Sequence, residues 1–372
     1  MIEFQGVTKS FGTVEALRGV SFVVPSGQVT VLIGPSGCGK TTSLRMINRM
    51  VEPTDGDVLV DGRKVGSFEP EDLRRGIGYV IQSVGLFPHM SVRDNIGIVP
   101  RLLKWDRSRR YKRADELLEL VGLDPAAYRE KHPHELSGGE AQRIGVARAL
   151  AADPPILLMD EPFGAVDPLN REVLQKEFVA LQRKLRKTVV FVTHDLDEPI
   201  RLGDEIILMR DGEIVQQGTP ERILAAPENE FVRDFVGNDR ALKRLACFSV
   251  DNHMRDAETV AESDIETIGN GSAGGNGHAG GSGIYWVHDS NRRLIGLVNT
   301  ASLEQGASAQ RHMTRVRAKD VSVSPVSDLR EALSRLLGQG MPAVPVLDEE
   351  EQVLGEVCLP DIEALNQTGF ER

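Results

Sequence analysis

The chain has 372 residues, 40% hydrophobic and 27% charged, a composition of two to three domains able to bury sizeable cores. Its formal net charge of −11 argues against a nucleic-acid partner held through phosphates. The three cysteines are isolated, which indicates neither a disulfide framework nor a metal site and fits a reducing compartment; no run approaches the ~18 apolar residues that cross a bilayer, so any membrane role comes through a partner.

In chain order, Ile2 to Val7, Val20 to Val24 and Val58 to Val60, the last just before the turn Asp61-Gly62, read as an antiparallel sheet. The apolar run Val29 to Ile33 leads into a stretch from Gly34 to Thr41 of pattern G-x-x-x-x-G-K-[ST], and helix-like residues follow from Thr42 to Met50. A strand, a glycine-rich turn and a helix let backbone N–H groups close around the β- and γ-phosphates of ATP. Lys40 adds a point charge and the Thr41 hydroxyl suits Mg²⁺. Gly34, Ser36, Gly37, Cys38, Gly39, Lys40, Thr41 and Thr42 are therefore candidate nucleotide-binding residues.

From about Ser91 to Ala152 the pattern is mostly helical. Ser137 and Glu140 form a capping-box signal, while Gly138 and Gly139 leave the positive helix end open to an anion. Ile156 to Met159 is a buried-strand run ending in Asp160 and Glu161, carboxylates able to hold Mg²⁺ through water and to polarise an attacking water. Thr188 to Val192 reads as a second parallel strand, and Arg210-Asp211-Gly212-Glu213 as a hairpin turn. An α/β nucleotide-binding domain over residues 1–237 is expected, followed by a second region over 238–372.

That second region carries an internal repeat. Val287, Asp289, Gly296 and Val298 recur as Val346, Asp348, Gly355 and Val357, each 59 residues later, which defines a unit at about 245–305 and another at about 315–368. The same offset sets the amphipathic segment Leu329 to Leu337 against 270–278, inside the glycine-rich stretch 269–283, so the first unit is expected to have exchanged a helix for a linker.

Leu136-Ser137-Gly138-Gly139, followed some twenty residues later by the Asp160-Glu161 strand, resembles the signature of ABC-type ATPases over residues 1 to about 237. The resemblance implies a parallel core sheet with an antiparallel β subdomain and a helical subdomain. It also implies that Phe11 stacks on adenine, that Gln82 contacts Mg²⁺ and water, that Asp167 lies in a D-loop, and that His194 contacts the γ-phosphate and orients Glu161. In such ATPases Ser137, Gly138 and Gly139 complete the site of the opposite subunit, so a homodimer sandwiching two ATPs is implied. An ordinary core phenylalanine is the alternative for Phe11.

The segment from Gln82 to Ile96, with Leu86-Phe87-Pro88, is similar to that of importer ATPases for glycine betaine, choline, carnitine and proline-type osmolytes. Its apolar part offers a docking surface for an integral membrane permease. A peripheral place on the cytoplasmic face of the cell membrane and a separate substrate-binding protein follow from that resemblance. An importer of another small solute, such as an amino acid, is the nearest alternative. A soluble ABC ATPase of repair or translation fits less well, since the chain has one P-loop and no sustained heptads.

The tail resembles a tandem cystathionine-β-synthase-type (CBS) pair of α+β units, which implies a regulatory adenine-nucleotide site. The family's hydroxyl and aspartate correspond here to Cys358 and Asp361, and in the first unit to Asn299 and Ser302. A dimerising scaffold and an ionic-strength sensor are the alternatives for so altered a pair.

Overall fold

Buried and exposed residues alternate along β1 (Ile2–Phe11) and β2 (Val14–Val24), which pair as an antiparallel hairpin, as expected of strands with one face on a core. β3 (Val29–Ile33) is buried at every position. β4 (Asp55–Val60) and the short β5 (Arg63–Lys64) extend the hairpin into a four-stranded sheet of order β2-β1-β4-β5. This is the antiparallel layer anticipated from the sequence, longer at both hairpin strands. The structure, a computed structural model, describes residues 1–81, 85–164, 166–269, 282–300 and 308–367.

β6 (Ile77–Val80), β7 (Ile156–Asp160), β8 (Thr188–Val192), β9 (Glu205–Arg210) and β10 (Glu213–Gly218) join β3 in a second sheet of order β10-β9-β3-β8-β7-β6. Its strands are parallel except for the β9–β10 hairpin, whose turn holds Asp211 and Gly212 at φ +50° and +84°. The two sheets share one apolar cluster, in which Phe4 and Phe22 stack with ring centroids 4.3 Å apart. Helices Val92–Ile96, Arg107–Leu120 and Gly138–Leu150 pack around a separate cluster of Leu117, Leu118, Ile144 and Leu150.

The chain divides into two compact units, one of residues 1–223 with 227–236, the other of 224–226 with 237–372. The second contains a four-stranded sheet of β11 (Thr259–Ala261), β12 (Ile284–His288), β13 (Leu294–Asn299) and β14 (Thr314–Arg315), and a hairpin of β15 (Ala343–Leu347) with β16 (Val353–Cys358). The hairpins β12–β13 and β15–β16 are copies in register. Val287 faces Gly296 as Val346 faces Gly355, and each ladder slips at the next residue. Helices Leu329–Gln339 and Leu359–Gln367 accompany the second copy, whereas residues 270–281 and 301–307, where the first copy would carry them, lie outside the described residues.

One buried charge joins the two copies. Glu356, 2% exposed on β16, accepts from the indole N–H of Trp286 at 2.9 Å, the hydroxyl of Ser282 at 3.0 Å and the guanidinium of Arg255 at 3.2 Å. Each partner removes part of the cost of burying a carboxylate.

Candidate functional site

Three neighbouring strands, β3, β8 and β7, end at the same edge of the parallel sheet, where α/β proteins bind ligands. Two backbone bonds stitch their loops together: Thr193 N–H to Leu32 O at 3.2 Å and Glu161 N–H to Val192 O at 2.9 Å. The motifs around Lys40, Asp160 and His194 are thereby brought to one place.

The loop after β3 needs its glycines. A Cβ on Gly34, at φ +143°, would lie 2.1 Å from the Met209 carbonyl oxygen, and one on Gly39, at φ +104°, 2.7 Å from that of Ala16. Pro35, Ser36 and Gly37 are exposed at the mouth, while Cys38, Gly39 and Lys40 are buried beneath it. The helix Lys40–Ile47 starts two residues earlier and ends three earlier than the sequence pattern suggests. Gly39 caps it without a side chain, so the first-turn N–H groups face no side-chain acceptor of the cap. The Lys40 ammonium turns back onto the loop, donating to Gly34 O at 2.7 Å and Pro35 O at 2.9 Å.

The Thr41 hydroxyl donates to Asp160 Oδ1 at 3.2 Å, and the Arg45 guanidinium lies 3.9 Å from Oδ2. Burial pushes the Asp160 carboxyl above the ordinary carboxylate range; Glu161 adds to this, while Thr41, Arg45 and Lys40 act the other way. An under-compensated buried carboxylate beside a hydroxyl suits a hard divalent cation. The Thr41 hydroxyl and the Asp160 carboxylate, side by side at the mouth of the phosphate loop, fit Mg²⁺, which is commonly held by one or two carboxylates and substrate phosphates. Arg45 was missed in the sequence. Its signal is its place one turn after Thr41, on the same helix face.

Glu161 itself has φ +47°, a left-handed backbone that a non-glycine residue adopts at local cost. His194 Nδ1 lies 3.3 Å from Glu161 Oε1. The imidazole is mostly exposed and the carboxylate about three-quarters covered, the arrangement of a base with an orienting partner at its mouth.

The other sequence candidates lie elsewhere in the unit. Phe11 ends β1 with 51% of its surface exposed and the Lys9 ammonium 4.9 Å from its ring centre, which removes the core alternative. Ser137 forms the capping box with Glu140, accepting from Glu140 N–H at 3.4 Å while the Glu140 carboxylate accepts from Ser137 N–H at 2.7 Å, and Gly138 and Gly139 open the helix above it. Asp167 is exposed just before the helix Pro168–Leu185. Gln82, Ala165 and Ser302 lie outside the described residues.

In the tail, Arg255 occupies the surroundings of Cys358 and Asp361. Its guanidinium donates to Cys358 Sγ and lies 3.9 Å from Asp361 Oδ2, which also accepts from Cys358 N–H at 3.1 Å. Burial foremost, with Glu356 adding, pushes the Cys358 thiol up to about 12.

A P-loop facing a carboxylate pair and a histidine across a parallel core, with a helical layer bearing a capped Gly-Gly turn, defines a nucleotide hydrolase of the ATP-binding-cassette type. The family model described as ABC transporter matches residues 17–164. The osmoprotectant import ATP-binding protein OsmV of Salmonella typhimurium is 43% identical over 365 residues, 96% of this chain and 94% of that protein. The glycine betaine/carnitine/choline transport ATP-binding protein OpuCA of Bacillus subtilis is 43% identical over 359 residues, with the same coverage of 96% and 94%. Among solved structures, a dimeric bacterial ABC transporter cassette aligns with TM-score 0.54 and 34% identity, covering 59% of this chain and 99% of that one. The cbiO1 protein of Clostridium perfringens aligns with TM-score 0.56 and 28% identity, covering 61% and 91%. The chain belongs to the ABC transporter family, as an ATP-binding subunit that hydrolyses ATP.

Proposed function

We propose that this chain is the motor of an importer for quaternary-amine osmolytes of the glycine betaine, choline or carnitine type. Two copies act on the cytoplasmic face of a membrane beneath separate permease subunits that receive solute from a binding protein. The observation that carries the solute class is the extent of the likeness: 43% identity to two osmolyte-import subunits runs over 96% of the chain, tail included.

ATP enters with its adenine against the half-exposed Phe11 and its phosphates on the N–H groups from Gly34 to Thr42. The Lys40 ammonium exchanges the carbonyls of Gly34 and Pro35 for phosphate oxygens. Thr41, Asp160 and Gln82 would hold Mg²⁺, which when bound neutralises phosphate charge. Glu161 takes the proton of the attacking water, and His194 holds Glu161 in place while meeting the γ-phosphate. Ser137, Gly138, Gly139 and Asp167 complete the site of the second copy.

No helix among the described residues is long and apolar enough to cross a membrane. A groove of about 620 Å³ lined by Met50, Tyr79, Ile81, Phe87, Ile98 and Arg148 offers apolar floor and basic rim to a helix of the permease. In the tail, Arg255 stands on Asp361 where a regulatory nucleotide would bind, which favours the scaffold and sensor readings over ligand binding. Removing residues 240–372 is expected to leave basal ATPase within about twofold, since every catalytic group named above lies before Gly237, and to abolish regulation of transport. Regulation that survives the truncation would place the sensor outside the tail.

Cys38 gives a test of the loop. Its thiol is 3% exposed, and burial pushes it above the ordinary thiol range although Lys40 draws it down. A bulky maleimide should react slowly at neutral pH, block nucleotide binding once attached, and be excluded by bound ATP. Cys38→Ser should resist. Equal inactivation of both proteins would put the sensitive thiol elsewhere. The solute class is tested by reconstituting the subunit with its permease and binding protein in liposomes and measuring uptake of labelled glycine betaine, choline and carnitine. ATP-dependent uptake of none of them by an active complex would overturn the assignment.

A further inference from the structure

One connection in the first unit links two parts of the site that the catalytic reading leaves separate. Arg171 lies in the helix Pro168–Leu185, directly after the loop that contains Asp167, and its backbone N–H bonds to Asp167 O at 2.9 Å. Its guanidinium reaches in two directions, donating to the Val166 carbonyl at 3.0 Å and lying 3.5 Å from the Asp195 carboxylate. Asp195 follows His194. Its backbone N–H bonds to the Thr193 hydroxyl at 3.1 Å, and its Oδ1 accepts from Asp197 N–H at 2.9 Å at the start of the helix Asp197–Leu202. His194 is therefore held between two residues that are themselves tied down, Thr193 to Leu32 of β3 and Asp195 to Arg171.

Behind this turn Glu198 is 3% exposed. The Thr193 hydroxyl, which accepts from Asp195 N–H at 3.1 Å, also hydrogen-bonds the Glu198 carboxyl and donates to it when Glu198 is ionised. We propose that Arg171, Asp195 and Glu198 are positioning residues forming a relay that ties the loop containing Val166 and Asp167 to His194. The relay rests on the assignment of His194 to the reacting end of ATP. It converts displacement of that loop into displacement of the imidazole, because the two amino groups of one planar guanidinium hold the Val166 carbonyl and the Asp195 carboxylate together.

Glu198 makes the relay sensitive to pH. Burial foremost, with the charge of Asp195 adding, raises its carboxyl to about 7, while Thr193, Arg171 and His194 oppose the rise. The remaining charges on the packed elements are Asp197 and Arg201 on its own helix and Glu172, Lys176, Glu177, Arg183 and Lys184 on the helix of Arg171, with Arg201 and Glu172 paired at 3.4 Å. Below pH 7 a neutral Glu198 leaves Asp195 as the carboxylate for Arg171. Above it, an ionised Glu198 offers Arg171 a second anion and loosens the bridge.

The test uses the full-length protein and steady-state ATPase. Arg171→Ala should lower kcat about tenfold with little change in KM, the pattern of a group acting only through the transition state. In a His194→Ala background the same change should cost almost nothing. Asp195→Asn, which keeps an oxygen to cap Asp197 but weakens the hold on Arg171, should show a smaller loss with the same split and serves if Arg171→Ala does not fold. The kcat ratio of wild type to Glu198→Gln should fall about threefold from pH 6 to pH 8, as expected for a buried carboxylate titrating near 7. Additive losses from Arg171→Ala and His194→Ala, or a constant kcat ratio across that range, would overturn the relay while leaving His194 in its role. A His194→Ala variant with wild-type kcat would instead remove the assignment of His194, and the relay with it.

Discussion

Glu161→Gln should bind ATP as tightly as the wild type while turnover falls by about 10²-fold or more, the scale of losing a positioned base. The substitution keeps the shape and the hydrogen-bonding oxygen that faces His194 Nδ1 at 3.3 Å, and removes the charge that draws a proton from water. With hydrolysis stopped, the ATP-bound pair of subunits should persist long enough to be sized by light scattering. Monomers alone in Mg²⁺ and ATP would overturn the two-copy arrangement, and near wild-type turnover would remove Glu161 from the role of base.

Gly34→Ala should be the most damaging methyl group added at a described glycine. The added Cβ would need to stand 2.1 Å from a β9 backbone oxygen at φ +143°, with no flexible side chain to move aside. Strain and overpacking together are expected to cost about 3 to 5 kcal/mol of stability and to abolish nucleotide binding. Gly37→Ala is the control. Gly37 also has positive φ, at +83°, but nothing lies within 4 Å of its added Cβ, so a loss of only about 1 kcal/mol is expected. Denaturant melts of the two variants that coincide would contradict the packing of the loop on β9.

The parts of this site that were legible in the sequence are those encoded by adjacent residues. Gly34 to Thr41 announces a phosphate loop because the glycines, lysine and threonine act within one turn, and the Ser137–Glu140 capping box is equally local. What could not be read is the order of the strands. β3 lies more than a hundred residues of chain before β7 and β8, and only their parallel pairing brings Thr41, Asp160 and His194 together. Glu198 was passed over for a related reason. Among Asp195, Asp197 and Pro199 it looks like part of an exposed acidic turn, and its burial follows from the helix Asp197–Leu202 packing against the helix Pro168–Leu185. Phe11 shows the opposite case, since its type suggests a core position and the end of β1 leaves half of it in water.

Glu356 sets a condition on how the tail is made. Its partners Trp286, Ser282 and Arg255 lie 70, 74 and 101 residues earlier, so a chain leaving the ribosome displays all three long before their acceptor arrives. Until then the first copy cannot close around its indole N–H and guanidinium. A chain cut between the copies would separate that guanidinium, 29% exposed, from the Glu356 carboxylate it pairs with. The second copy thus draws these three side-chain donors from the first, so the two copies share one polar site rather than each satisfying its own.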